Sequence, residues 1–222
     1  MIYKLKIKLL SDTTFGRGDG VAGLVDQEVE QDKYGFPYLR GRTLKGLLSE
    51  ECDNLINILP DETQKNYWEN IACQLFGIPG SKLETIAAIH VGDAYLPDDL
   101  RQVVAYEIDI EQLTNQDVLS SLTTIRRQTA INSENGVADE GSLRSFRVVI
   151  RELEFQANLL FETQPSDEIL SLLAVGTLAL RRLGSGRNRG RGNVSCTLHD
   201  TDGNEITQQY LKLFGKVREV IL

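Results

Sequence analysis

The residues best equipped for chemistry lie near the C-terminal end, in Leu180-Arg181-Arg182-Leu183-Gly184-Ser185-Gly186-Arg187-Asn188-Arg189-Gly190-Arg191-Gly192. This stretch holds five arginines, four glycines and no acid. Glycines let a backbone approach an anion and expose its N–H groups, and guanidinium forks take phosphate oxygens in pairs. The pattern therefore describes a phosphate-binding loop; the plainer alternative is a solvated glycine-rich turn. It follows a helical pattern and precedes an alternating one. A dinucleotide fingerprint runs the other way, from strand into helix, so that reading fits poorly. A second basic group is Pro37-Tyr38-Leu39-Arg40-Gly41-Arg42-Thr43-Leu44-Lys45-Gly46, which puts Arg40, Arg42 and Lys45 at the expected start of a helix. A helix N-terminus offers unpaired N–H groups and partial positive charge to an anion. Gly46 in the first turn weakens the helix relative to alanine, and close approach of a ligand would account for it. Incidental surface basics are the alternative.

Other candidates carry less. His90 and His199 could act as general bases, but ordinary core or surface histidines are the better reading. Asp93 and Ala94 fit a structural role at a strand end, and Tyr67, Trp68 and Phe76 fit packing of a short helix. No aromatic pair falls in the strand pattern with which RNA-recognition motifs stack bases.

The elements that must position these groups follow from periodicity. Tyr3, Leu5, Ile7 and Leu9 alternate with Lys4, Lys6 and Lys8, a half-buried strand with a basic outer face. Phe15 to Gly23 reads as a loop. Leu44, Leu47, Leu48, Cys52, Leu55, Ile56 and Leu59 have helical spacing, with Thr43 as the expected N-cap and Pro60 as the stop. A shorter helix carries Tyr67, Trp68, Ile71 and Leu75 and ends at Gly77. A second strand spans Ile86 to Leu96, and a third runs from Leu153 to Phe161. Pro165 to Glu168 start a helix whose buried face holds Ile169, Leu172, Leu173, Leu180 and Leu183, and Val194, Cys196 and Leu198 define a fourth strand. The order βαββαβ predicts an α+β, ferredoxin-like (RRM-like) core. About 45 residues, Asp98 to Ser142, lie between the second and third strands, and the core does not need them. So long a connection is usually functional.

A length of 222 residues suits one domain over 1–222 with such an insertion, and the three cysteines, Cys52, Cys73 and Cys196, are odd in number and unsuited to metal-ligand spacing. With neither an apolar run of 18 residues nor a signal-peptide pattern, the expected location is cytoplasmic, away from membranes. The net charge of −8 argues at first against nucleic acid. Acids concentrate in 26–32, 50–62 and 98–117, however, so basic grooves can coexist with an acidic exterior.

On four stretches the chain resembles the RAMP superfamily of CRISPR-associated proteins, in particular the repeated backbone subunit of type III effectors. They are Gly23-Leu24-Val25-Asp26 with Gly35-Phe36 and the Pro37 to Gly46 motif; Leu75-Phe76-Gly77; Val91-Gly92-Asp93-Ala94-Tyr95-Leu96; and the glycine-arginine loop. Thr129-Ala130-Ile131-Asn132 through Gly136-Val137-Ala138 is similar to the segment leading into the family's third core strand. The likeness covers essentially the whole chain, and its first and last stretches are the specific ones.

The resemblance implies a subunit that stacks with its neighbours and with other effector subunits along a guide (CRISPR) RNA. It grips the guide's backbone through Arg40, Arg42, Lys45 and Gly46 and through Gly184, Gly186, Arg187, Arg189, Gly190 and Arg191, while the bases pair with target RNA. An inserted hairpin thumb, matching Asp98 to Ser142, flips out nucleotides. The resemblance also implies an endoribonuclease: a loop aspartate, matched by Asp26, cleaves target RNA there with Mg2+ or another divalent cation, and Asp26 is the possible metal donor. Spacing from Asp26 to Pro37 is one residue shorter than the family's, which leaves Asp32 as the weaker contender. Arg40 replaces the family's proline, adding charge at the helix end. Alternatives are a catalytically inactive subunit of the same complex, or a guide-processing endoribonuclease of the same superfamily.

Overall fold

Alternation along β1 (Ile2–Leu9) buries Tyr3, Leu5, Ile7 and Leu9 and turns the lysines outward. The computed structural model describes residues 1–78, 86–131, 136–139 and 141–216, so Asn132 of the sequence reading lies outside the described residues. After β1 come α1 (Gly41–Asn57), α2 (Glu62–Phe76), β2 (Ile89–Tyr95), α3 (Asp98–Asp109), α4 (Asn115–Leu122), β3 (Thr123–Gln128), β4 (Arg144–Val149), β5 (Glu154–Phe161), α5 (Asp167–Ala179), β6 (Val194–His199) and α6 (Thr207–Lys216). Strands β2, β5, β1 and β6 form one antiparallel sheet in that order, with Leu5 opposite Ala157 on one side and Leu198 on the other. With α1 and α5 as the two crossovers, this is the ferredoxin-like βαββαβ arrangement. No helix among the described residues is long and apolar enough to cross a membrane.

Helix α5 is buried nearly throughout from Ile169 to Thr177, because α1, α2 and α6 all pack on it. Where it meets α1, a side chain on Gly176 would overlap the sulfur of Cys52, whose Sγ lies 3.6 Å from the Leu172 carbonyl. Cys52 and Cys196 are both buried, and burial pushes their thiols up, that of Cys196 to about 12.

Several local expectations shift. Helix α1 starts at Gly41, with extended Arg40 rather than Thr43 at its N-cap, and Gly46 therefore falls in its second turn. The second strand begins at Ile89 and not at Ile86. Leu180 and Leu183 are buried but lie past the end of α5, which stops at Ala179. His199 is buried at the end of β6, with Thr197 Oγ1 at 2.9 Å from Nε2 and the Gly203 carbonyl at 3.0 Å from Nδ1.

Between β2 and β5 the chain forms α3, α4 and an antiparallel ribbon, β3–β4, in which Arg126 faces Phe146 and Ile125 faces Arg147. The ribbon runs on to Val149, past Ser142 where the expected insertion ended. Its base is part of the core: Val148 and Val149 are fully buried, and Thr13 and Val149 exchange both backbone hydrogen bonds. Val118 and Leu119 of α4 also join the central cluster. The expectation that the core can do without this segment thus fails for α4 and the ribbon's base.

Candidate nucleic-acid interface

The glycine-arginine loop is closed at its neck. Leu183 N–H donates to the Gly192 carbonyl (2.8 Å), Ser185 N–H to the Thr14 carbonyl (2.9 Å), and Thr13 Oγ1 to the Leu183 carbonyl (2.9 Å). A Cβ on Gly192 would overlap the Leu183 carbonyl, and both Gly192 and Gly184 have positive φ, so these two positions require glycine. At the tip, Arg187–Arg189 form a single 3-10 turn between Gly186 and Gly190. Arg187 reaches back to Glu50 of α1 at 3.3 Å. Arg189 stays exposed, and the Arg191 guanidinium lies 5.0 Å over the Phe146 ring of β4. Burial, with the positive charges of Arg126 and Arg189, lowers the Arg191 pKa. A cationic group held this way, short of water and crowded by like charge, gains from an anion.

A cleft of about 430 Å3 is lined by Arg187, Arg189 and Arg191 together with Phe146 and Gln128 of the ribbon. A second cleft, of about 230 Å3, shares Gly184, Ser185 and Arg187 with the first and continues to Arg40, Thr43 and Leu47 at the start of α1. Two motifs about 140 residues apart in sequence thereby border one groove. At the α1 end, Asp93 Oδ1 accepts the Gly41 N–H (2.7 Å) and its Oδ2 accepts from the Tyr95 hydroxyl (3.1 Å), which explains the aspartate at the end of β2. Arg40 contacts Glu30 at 2.8 Å. Lys45 is half-buried, burial lowers its ammonium pKa, and among the described residues neither it nor Arg42 has an ion pair. Space around Gly46 is open, so nothing among the described residues demands glycine there.

The candidate carboxylates occupy different surroundings. Asp26 follows a tight turn, Val21–Val25, that closes only because Gly20 lacks a side chain. Its backbone N–H donates to the Ser145 carbonyl (2.8 Å) and its Oδ2 accepts the Ser145 N–H (2.6 Å), with Arg144 at 3.5 Å. The next residue, Gln27, lines the larger cleft and donates to Ser185 Oγ at 3.0 Å. Asp26 thus stands beside the groove, hooked to the first residues of β4, at the end of the ribbon away from its buried base, and is 43% exposed. Below it, Glu28 and Arg147 form a buried pair at 2.8 Å. Asp32 instead accepts the N–H groups of Tyr34 and Phe36 (2.9 and 3.1 Å) and pairs with Arg101 of α3 at 3.0 Å. It lines neither cleft.

The sequence reading missed the ribbon's share of the groove, namely Phe146 and Gln128. A signal existed in two short basic stretches, Ile125 to Gln128 and Arg144 to Arg147, flanking a glycine-containing connection.

No group of three or more histidine, cysteine or acidic side chains suited to a metal occurs among the described residues. A protein-built cage does not fit this donor set. A cation held by one carboxylate and by substrate phosphates does fit it, since Mg2+ commonly binds that way.

Fold and groove together define a ferredoxin-like domain whose cationic, glycine-lined cleft is chemically suited to a polyanion backbone. The chain belongs to the RAMP superfamily, whose family model matches residues 6–195. Its fold is similar to that of a chain in the type III-B Cmr-beta complex bound to cognate target RNA (TM-score 0.62, 15% identity, 95% of this chain and 99% of that one). It is similar also to a chain of the apo state of type III-B Cmr-beta (0.61, 15%, 90% and 98%) and to one of a type IV-B CRISPR complex (0.57, 12%, 92% and 92%). A sequence search of curated proteins finds no match.

Proposed function

We propose that this chain is a guide-RNA-binding backbone subunit of a type III CRISPR effector complex, and that it cleaves target RNA through Asp26. The observation that carries the binding half is the smaller cleft, which the α1 N-terminus and the glycine-arginine loop line together. Its cationic groups, arginines and a helix end, suit phosphates and accept a guide of any base sequence. The net charge of −8 is no objection, because local field and not total charge governs a focused site.

Cleavage requires a target nucleotide turned out of helical geometry, so that its 2′-oxygen attacks the adjacent phosphorus as the bond to the next 5′-oxygen breaks. Asp26 Oδ1, beside the cleft, is the proton acceptor for the 2′-hydroxyl, and the leaving oxygen takes a proton from water. Such proton transfer contributes ~10²–10⁴-fold. A divalent cation bound by Asp26 and the substrate phosphates would offset the charge that develops on the phosphorane oxygens. In this reading the β3–β4 ribbon, to which Asp26 is hydrogen bonded, displaces the nucleotide. A second reading, a catalytically idle subunit, is favoured by one contact: Arg144 already pairs with Asp26.

Replacing Arg187, Arg189 and Arg191 together by alanine tests the binding half. Affinity for two unrelated single-stranded RNAs, measured across salt concentrations, should fall equally for both. The salt slope should drop by up to ~0.7 per lost phosphate contact. An unchanged slope, or a loss confined to one sequence, would count against a backbone grip.

A further inference from the structure

The smaller cleft lies between two cationic sites, Arg40 with the α1 N-terminus on one side and Arg187 on the other. A strand with consecutive phosphates at these two sites puts the connecting sugar in between. The lining there changes character. Leu39, Leu47 and Phe15 give it an apolar floor, and Glu30 brings a carboxylate into it.

Glu30 is an odd group to place beside a polyanion. Its side chain is only 11% exposed. Oε1 accepts from the Tyr38 hydroxyl at 3.1 Å. Oε2 is buried with no aligned hydrogen bond, although exposed Arg40 covers it at 2.8 Å. An ionised carboxylate is acceptor-only and offers about four lone-pair sites, so this one has capacity for a donor. Tyr38 is itself fixed by stacking on Tyr95 at 5.2 Å, which in turn lies under the Arg101 guanidinium at 4.3 Å. The acceptor is therefore held in place before any ligand arrives.

We infer that the cleft between the α1 N-terminus and the glycine-arginine loop is a ribose site, in which Glu30 accepts a hydrogen bond from the 2′-hydroxyl of a bound RNA strand. The inference rests on the RNA-binding reading above and adds discrimination of RNA from DNA to it. A nucleobase could also fill about 230 Å3. A strand of arbitrary sequence, however, presents no constant base donor at one position, whereas every ribonucleotide carries a 2′-hydroxyl. Binding is an exchange: Arg40 swings from Glu30 to a phosphate, and the uncovered carboxylate takes the sugar hydroxyl. The 2′-hydroxyl is the group by which proteins tell RNA from DNA.

The test compares single-stranded RNA with a 2′-fluoro strand of the same sequence, which keeps the sugar's shape but cannot donate. On the unmodified protein, the RNA should bind about 10-fold more tightly, the scale of one hydrogen bond to a charged group. Glu30→Ala should erase that preference, and Glu30→Gln, which keeps an acceptor oxygen, should show an intermediate one. Circular dichroism checks that both variants fold. If Glu30→Ala does not fold, the wild-type comparison and Glu30→Gln still decide. Equal affinity of wild type for both strands overturns the ribose site while leaving the backbone grip intact. A preference undiminished in Glu30→Gln also overturns it. Failure of wild type to bind either strand removes the RNA-binding reading itself.

Discussion

At the scale of single residues, the two candidate aspartates differ in what their oxygens already do. Asp26 keeps substantial exposure beside the groove, whereas Asp32 is committed to a turn and to Arg101. In the assembled complex, Asp26→Ala should abolish metal-dependent single-turnover cleavage of target RNA with affinity nearly unchanged, because a carboxylate beside a polyanion does not aid ground-state binding. Asp32→Ala should leave cleavage in place and lower stability by ~1–3 kcal/mol, since it orphans two backbone N–H groups and leaves Arg101 only its longer ion pair to Asp98. Full cleavage by Asp26→Ala would favour the idle subunit; loss in Asp32→Ala alone would move the chemistry down the loop. Tyr95 supplies a pH test. Burial and the hydrogen bond to Asp93 raise its phenol to about 12, above the ordinary value near 10. A raised folded pKa means stability intact below pH 10 and declining as pH climbs from 10 toward 12, where only the unfolded chain releases the proton. An absorbance titration should show a last-ionising tyrosine, later than the others that burial raises, that is missing in Tyr95→Phe. Its absence from the wild-type curve would contradict this network.

At the scale of elements, the core was legible because its signals are local and periodic. Lysine alternation gave β1, Ser166 with its acids gave the start of α5, and Gly77 the end of α2. The α1 start was misplaced because its cap comes from another element. The first free N–H is taken by Asp93 of β2, 52 residues away, and no sequence window near Thr43 contains that partner. Helix α6 went unread although Ile206, Tyr210, Leu211 and Phe214 have helical spacing, since the βαββαβ pattern was already complete. The ribbon's role was hidden for a related reason: Phe146 matters only because Arg191 lies over it. One packing relation is testable here. Gly176→Ala pushes a methyl into Cys52 and should destabilise by ~1–3 kcal/mol in denaturant unfolding. Adding Cys52→Ala should recover part of that loss, a coupling that independent sites would not show.

For the whole molecule, the question is what makes core and insertion one body. The buried Glu28–Arg147 pair joins the segment after Asp26 to β4, and Thr14 Oγ1 donates to the Arg147 carbonyl at 3.1 Å. Arg147→Met should cost ~3–5 kcal/mol by stranding Glu28, while Arg147→Met with Glu28→Leu should regain much of it, as apolar replacements of buried pairs often do. Unfolding by heat, followed in all three proteins, checks this. Equal stability of the single and double variants would show that the pair does not unite the two parts. The rescued double variant also separates fold from site, because it keeps the structure while freeing Asp26's loop from an electrostatic tether.

The closed neck of the glycine-arginine loop has a kinetic consequence. A loop that must order itself around its ligand makes association wait on a conformational step, and the ordering entropy is subtracted from affinity. Here Leu183, Ser185 and Gly192 already exchange hydrogen bonds with one another and with the 12–14 segment. Encounter with an RNA strand is then governed by diffusion and electrostatic steering, so its rate should respond steeply to ionic strength and only weakly to temperature beyond the viscosity of water. The amides of Leu183 and Ser185 should resist hydrogen exchange in the free protein as strongly as in the bound one, while the tip between Gly186 and Gly190 gains protection only when RNA arrives.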